Sequence, residues 1–453
     1  MIRISALAAC LVALASCAAP VPDVPQRRAL STMPMPPMKS FAPVRAAPPT
    51  RSNASIAHDL LDLEFQMESG RDLTRFTRFE GPVTIALRGD VPPSAPADLS
   101  RLIGRLRSEA GIDISPISKG QASITVEFLP RAKLQHTVPQ AACFVVPRVS
   151  SWAEYRTARR TERVDWTTLD QRDRVAVFVP SDTAPQEVRD CLHEEIAQAL
   201  GPLNDLYQLT DSVFNDDNFQ TVLTGFDMLA LRVHYAPELA NGMSRAEVAA
   251  RLPAILARLN PGGQHGGPPN PSPTPPAWKA AIETALGPAG SPGTRRNAAQ
   301  AAVEIARAEG WHDARLGFSY FALGRLSLAD EIETAVMALD QASRIYRSLP
   351  GAEIHAAHID MQMAAFALAA GQPDEATRLV DRAIPVVKKA ENAALLASLM
   401  MIKAEALDMQ GHSAAAQAER LDTLGWARYG FGADDEVRAR MSEIAVLSPQ
   451  SGG

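Results

Sequence analysis

The stretch NPGGQHGGPPNPSPTPP, residues 260–276, limits what this chain can fold into more than any other feature. Proline lacks a backbone N–H and glycine loses the most freedom on ordering, so neither a helix nor a sheet runs through such a run. It cuts the chain into two folding units, and apolar residues on its two sides follow different periods. With 453 residues, 46% of them hydrophobic, each side is long enough to close its own core.

Before the break, helix and strand periods alternate. Ile56, Leu60, Leu63 and Met67 fall on one helical face, and PVTIAL (82–87) predicts a short strand. ADLSRLIGRLRSEAG predicts an amphipathic helix with Leu99, Leu102, Ile103 and Leu106 on one stripe and Gly111 as its stop. SITVEFLP (123–130), ACFVVP (142–147) and RVAVFVP (174–180) predict three more strands, and APQEVRDCLHEEIAQALG predicts a long helix from Pro185 to Gly201. The pattern is that of an α+β domain over residues 54–259.

Beyond a linker set at residues 260–294, residues 295–447 carry helical spacing without a strand signal. FALGRLSLADEIETAVMALD, ALAAGQPDEATRLVDRAI and LDMQGHSAAAQAERLD hold Gly324, Gly371 and Gly411, which are 47 and 40 residues apart. These segments resemble tetratricopeptide-like helical hairpins, in which a glycine ends the first helix of each pair; a plain helical bundle is the other reading. The resemblance implies an all-α module that binds a protein or an envelope component. Residues 448–453 are expected as an unstructured tail.

The N-terminus, MIRISALAACLVALASC, has Arg3 ahead of an apolar stretch and a small-residue exit, which predicts a signal peptide over residues 1–17. Leu14-Ala15-Ser16-Cys17 resembles a bacterial lipobox, which implies that Cys17 becomes a lipidated N-terminus. Residues 18–53, rich in Pro and Ala, read as a disordered tether able to reach on the order of 100 Å. These features predict a lipoprotein of the cell envelope that faces the periplasm. Ala18 lacks the charge that often retains such proteins at the inner membrane, which leaves the membrane open with a tilt to the outer one.

Cys143 and Cys191 then remain, and an oxidising compartment suggests one disulfide between them, with two separate buried thiols as the alternative. A net charge of −6 lacks the basic excess that nucleic acid requires.

CLHEEIAQALGPLND, residues 191–205, puts His193 and Glu194 side by side as a zinc helix does, yet position i+4 is Ala197, which has no lone pair to offer. A second frame starts from Gly201. The segment Glu194-Glu195-x-x-Gln198-x-x-Gly201-x-x-Asn204 resembles HExxHxxGxxH of the metzincin clan of zinc peptidases with every histidine replaced.

The following SVFNDDNFQTVLTGFDMLALRVHYAPEL resembles the matrixin-type segment, with Phe214 in place of the turn methionine and Asp227 to Tyr235 as the closing helix. The resemblance covers about residues 75–240. EExxQxxGxxND followed by FNDD also resembles an uncharacterised domain-of-unknown-function family of bacterial envelope proteins, for which no reaction is assigned.

The metzincin resemblance implies that Glu194, Gln198 and Asn204 stand at former metal-ligand positions and Glu195 at the general-base position. Without a zinc-like Lewis acid the base has no suitably acidic water, so the expected domain is non-catalytic and without cofactor. The alternative is a divergent metal-dependent peptidase or hydrolase using Glu195. Oxygen donors at Glu194, Gln198 and Asn204 or Asp205 would suit calcium or magnesium, although one carboxylate and two amides are a thin set.

Glu194 and Glu195 point about 100° apart on a helix and make no glycosidase pair. Asp216, Asn218 and Asp227 lack the glycine of a calcium loop and read as an Asx-turn or helix cap. His193 and His234 read as structural. No nucleophile elbow, phosphate loop or dinucleotide fingerprint is present.

Overall fold

The computed structural model describes residues 35–42, 45–139, 141–267 and 271–448. The segment expected as a signal peptide, Cys17 and the expected tether as far as residue 34 lie outside the described residues, as does the expected tail from residue 449.

The first unit opens with helix α1 (Asn53–Phe65), capped by the Ser52 side chain on Ser55 N. It continues through β1 (Val83–Gly89), α2 (Ala95–Glu109), β2 (Ile114–Pro116), β3 (Ile124–Leu129), β4 (Phe144–Pro147), β5 (Val175–Pro180), α3 (Pro185–Leu200), α4 (Gly225–His234) and α5 (Arg245–Leu259). The five strands form one sheet in the order β2-β1-β3-β5-β4. All pairs are parallel except β4 with β5, where Val146 lies opposite Ala176.

β5 is buried along its whole length because both faces of the sheet are covered. Val175, Val177 and Val179 pack with Leu102 and Leu106 of α2 and Leu192 and Ile196 of α3. Ala176 and Phe178 turn the other way, into a smaller cluster with Trp152 and Val146. The predicted strands and the long helix stand within a few residues of their expected ends. Strand β2 is an addition, since three residues are too short to display alternation.

The second unit is all helical: α6 (Pro276–Leu286), α7 (Pro292–Ala308), α8 (Ala314–Ser327), α9 (Ile332–Ser348), α10 (Glu353–Ala369), α11 (Pro373–Lys389), α12 (Ala393–Met409), α13 (Ser413–Phe431) and α14 (Asp434–Ala445). Gly371 and Gly411 follow α10 and α12 with φ of 71° and 81°, the left-handed conformation that stops a helix. Gly324 behaves differently from the expected terminator. It lies inside α8, where an added Cβ would stand 2.8 Å from Leu339 of α9, so it permits close packing.

Two expected boundaries are corrected. Helix α6 falls inside the segment read as a linker to residue 294, because Trp278, Ile282 and Ala285 recur at helical spacing and bury against the second core. The tether expected through residue 53 is docked in its described part. Lys39 N donates to Gly425 O at 3.0 Å, Phe41 stacks on Trp426 at 4.6 Å, and Arg51 pairs with Asp59 and Asp211. An added Cβ at Gly225 would collide with Ala47 O, so this glycine admits the extended segment beside α4.

The units share more than a linker. Tyr207 and Phe219, from the long loop between α3 and α4, are buried in the core of the helical unit.

Candidate functional site

Helix α3 carries the altered motif. Pro185 starts it, and Val188, Leu192 and Ile196 hold it against the sheet. The disulfide between Cys143 and Cys191, with Cα atoms 6.0 Å apart, ties its middle to the β4 region. At its C-terminus, buried Arg172 donates to Gln198 O at 2.7 Å and Ala199 O at 2.9 Å, and also to Gly201 O. Tyr235 donates to Leu200 O at 3.0 Å. These donors satisfy carbonyls that the helix end leaves without partners. Gly201 leaves room for α4, since a Cβ there would lie 3.2 Å from Leu231.

Among the described residues neither His193 nor His234 takes part in a metal-donor group. His193 Nδ1 accepts from Leu223 N at 3.1 Å, and burial, with Arg189, Arg105 and Arg101 nearby, holds the imidazole neutral well below its ordinary pKa. His234 Nδ1 lies 2.8 Å from Glu64 Oε1, and burial lowers its pKa against the pull of that carboxylate.

The three positions expected as former ligands make different bonds. Gln198 Nε2 donates to Asp205 Oδ2 at 3.3 Å. Asn204 Nδ2 donates to Asp62 O at 3.0 Å and so fastens the loop to α1. Glu194 is partly exposed, and burial together with Asp216, Glu68 and Asp190 pushes its pKa up to about 8. One carboxylate and two amides, one of them committed to a backbone carbonyl, do not fit zinc, which takes imidazole and thiolate donors around a tetrahedral centre.

Glu195 is 4% exposed and its Oε2 has no hydrogen-bond partner among the described residues. Burial, then Glu194 and Glu68, raise its pKa well above the usual carboxylate range. These surroundings disfavour the charged carboxylate that a general base requires.

Beside the helix, carboxylates from two loops come together. One oxygen each from Glu68, Asp205 and Asp216 lie within 4.8 Å of one another. Asp205 is buried; Glu68 and Asp216 are exposed. Burial and Glu68 raise Asp216 to about 6, and burial with Asp216 and Glu68 raises Asp205 well above its ordinary value. Glu68 comes from the loop after α1, far away in sequence, and no local pattern marks it.

Asp216 and Asp217 also begin the docking of the loop. Asp217 Oδ2 meets His355 Nε2 of α10 at 2.9 Å, and Asp217 Oδ1 accepts from Phe219 N at 3.1 Å. Asp227 is a helix cap: it accepts from Thr224 N at 2.7 Å in a capping box and from Ser212 Oγ at 2.6 Å, beneath buried Phe214.

Residues 53–254 match the family model described as Protein of unknown function (DUF2927). The likeness to that family covers this segment, a little under half of the chain. The match begins at the first residue of α1 and ends within α5, so it takes in Glu68, all of α3 and the loop bearing Asp205 and Asp216. The helical unit lies outside it. No curated protein and no solved structure matches the chain.

Proposed function

We propose that this chain is a bacterial cell-envelope lipoprotein whose DUF2927 domain is a non-catalytic, zinc-less relative of the metzincin-like peptidases. The helical unit, read as tetratricopeptide-like, is its module for binding a protein or envelope component. The observation that carries the reading is the state of the motif: amides at two of the three ligand positions, one of them bonded to Asp62 O, and a general-base position with a raised pKa. The order β1, α2, strands, α3, glycine turn and α4 supports the family likeness. The Cys143–Cys191 bond supports an oxidising compartment, and the lipobox at Cys17 supports anchoring.

Elemental analysis of the purified chain tests the central part: zinc far below one per chain is expected, and one zinc per chain overturns the reading. Cys17→Ser should move the protein from the membrane to the soluble fraction; continued detergent-only extraction counts against the anchor.

A second reading, a divergent hydrolase, is favoured by one observation, the buried partnerless oxygen of Glu195. Peptide or ester hydrolysis by the wild type that Glu195→Gln abolishes would put this reading first.

A further inference from the structure

We propose that Glu68, Asp205 and Asp216 bind one calcium ion beside α3, next to Gln198, whose amide donates to Glu68 and Asp205. The three carboxylates come from two separate loops, and their nearest oxygens lie within 4.8 Å of one another. Calcium–oxygen bonds of about 2.3–2.6 Å allow ligands on opposite sides of one ion to stand up to about 5 Å apart. Magnesium, at about 2.0–2.1 Å, demands a tighter set, and zinc prefers nitrogen and sulfur donors.

A second observation points to a ligand. Asp205 is 2% exposed, with Oδ2 accepting from Gln198 and Oδ1 without a donor among the described residues, and its carboxyl stands against that of Glu68. Glu195 on α3, which feels the charge of Glu68, also keeps a buried oxygen without a partner among the described residues. A buried carboxylate oxygen left unpaired is costly, and a hard cation relieves that cost for both residues through its charge.

No protein cation pairs with the group among the described residues. Among the described residues none of Glu68, Glu194, Glu195, Asp205 and Asp216 makes a salt bridge, and Lys279 of α6 is the positive charge felt by Asp216. The site also has an entrance: Glu68 and Asp216 are exposed, so an ion can arrive from solvent and keep waters in its remaining positions.

The ion would also fasten the joint between the units. Asp205 and Asp216 flank Tyr207, and Tyr207 packs on Trp278 and Phe318 with ring centroids 5.0 and 6.0 Å apart. Calcium therefore holds a loop whose apolar residues are seated in the helical unit.

The inference stands apart from anchoring and inactivity, because calcium binding is measured independently of zinc content or membrane fractionation. The full chain, stripped with EDTA and desalted, is titrated with calcium chloride by calorimetry near neutral pH, and its melting is followed with and without calcium. One calcium per chain is expected, with a dissociation constant on the order of 10⁻⁴ M or tighter, and calcium should raise the melting temperature. Asp205→Asn and Asp216→Asn should each weaken binding at least about tenfold. They should melt in EDTA no lower than the wild type, because each removes like-charge repulsion. Glu238→Gln, an exposed carboxylate paired with Arg258, should bind as the wild type does.

If a buried-site variant fails to fold, Glu68→Gln on the exposed ligand replaces it. No saturable calcium binding, or binding indifferent to these substitutions, overturns the proposal.

Discussion

Phe219→Ala separates the two units if the loop between α3 and α4 is what joins them. Phe219 belongs to the DUF2927 segment, yet it is 3% exposed in the helical core. Its ring lies 4.5 Å from His355, 4.8 Å from His358, 5.0 Å from Phe321 and 6.0 Å from both Phe318 and Tyr346. Truncating a buried Phe to Ala costs about 3–5 kcal/mol through lost transfer energy and the cavity left behind. Aromatic pairs add about 0.5–1.5 kcal/mol each beyond area, which puts this site in the upper half of that range.

A loss of about 4 kcal/mol is a large share of the roughly 5–15 kcal/mol that domains possess. It falls on the joint, so its signature is reduced cooperativity. Urea unfolding is followed by helix circular dichroism and by fluorescence of Trp152 and Trp166 in the first unit, with the other tryptophans replaced by Phe. The two probes should coincide in the parent protein and diverge after Phe219→Ala. Coincident curves shifted by less than about 1 kcal/mol, the scale of a surface substitution, would refute the reasoning.

Other outcomes follow from single features. The Cys143–Cys191 bond closes a loop with a sequence separation of 48 residues, for which chain entropy sets a stabilisation of about 4 kcal/mol; equal urea midpoints with and without reductant would exclude it. His358 is held neutral by burial, with His355 and Arg325 adding to the effect, so that its pKa falls to about 3. The unfolded chain takes up this proton at about pH 6.5, so stability is complete above that pH and drains away as pH falls toward 3. His358→Leu should flatten the fall in melting temperature between those values, and an unchanged profile would show that this histidine does not govern it.

Much of the fold was legible in local spacing. β5 and α3 are long enough for apolar residues to repeat, and their ends carry proline or glycine. α6 was concealed because the Pro-rich composition around it outweighs one short apolar stripe. The docked segment from residue 35 was concealed for a similar reason: its contacts are individual residues such as Phe41 and Arg51, with no period. Gly324 shows that a glycine in a helical repeat can mark close packing as readily as an end.

Glu194, Glu195, Gln198 and Asn204 were singled out from motif spacing alone. Glu68 and Arg172 were not, since each reaches α3 or its loop from a distant segment.

The sequence by itself determined the division into an α+β and a helical unit, the position of α3 and the carboxylate and amide side chains it carries. Periodicity and side-chain chemistry are local, and they survive without knowledge of any partner. Only the tertiary structure decided that Asp205 and Asp216 face Glu68, and that Tyr207 and Phe219 are buried in the other unit. An apolar or acidic side chain declares that it must be covered or neutralised; which distant group does so depends on how the chain closes in space.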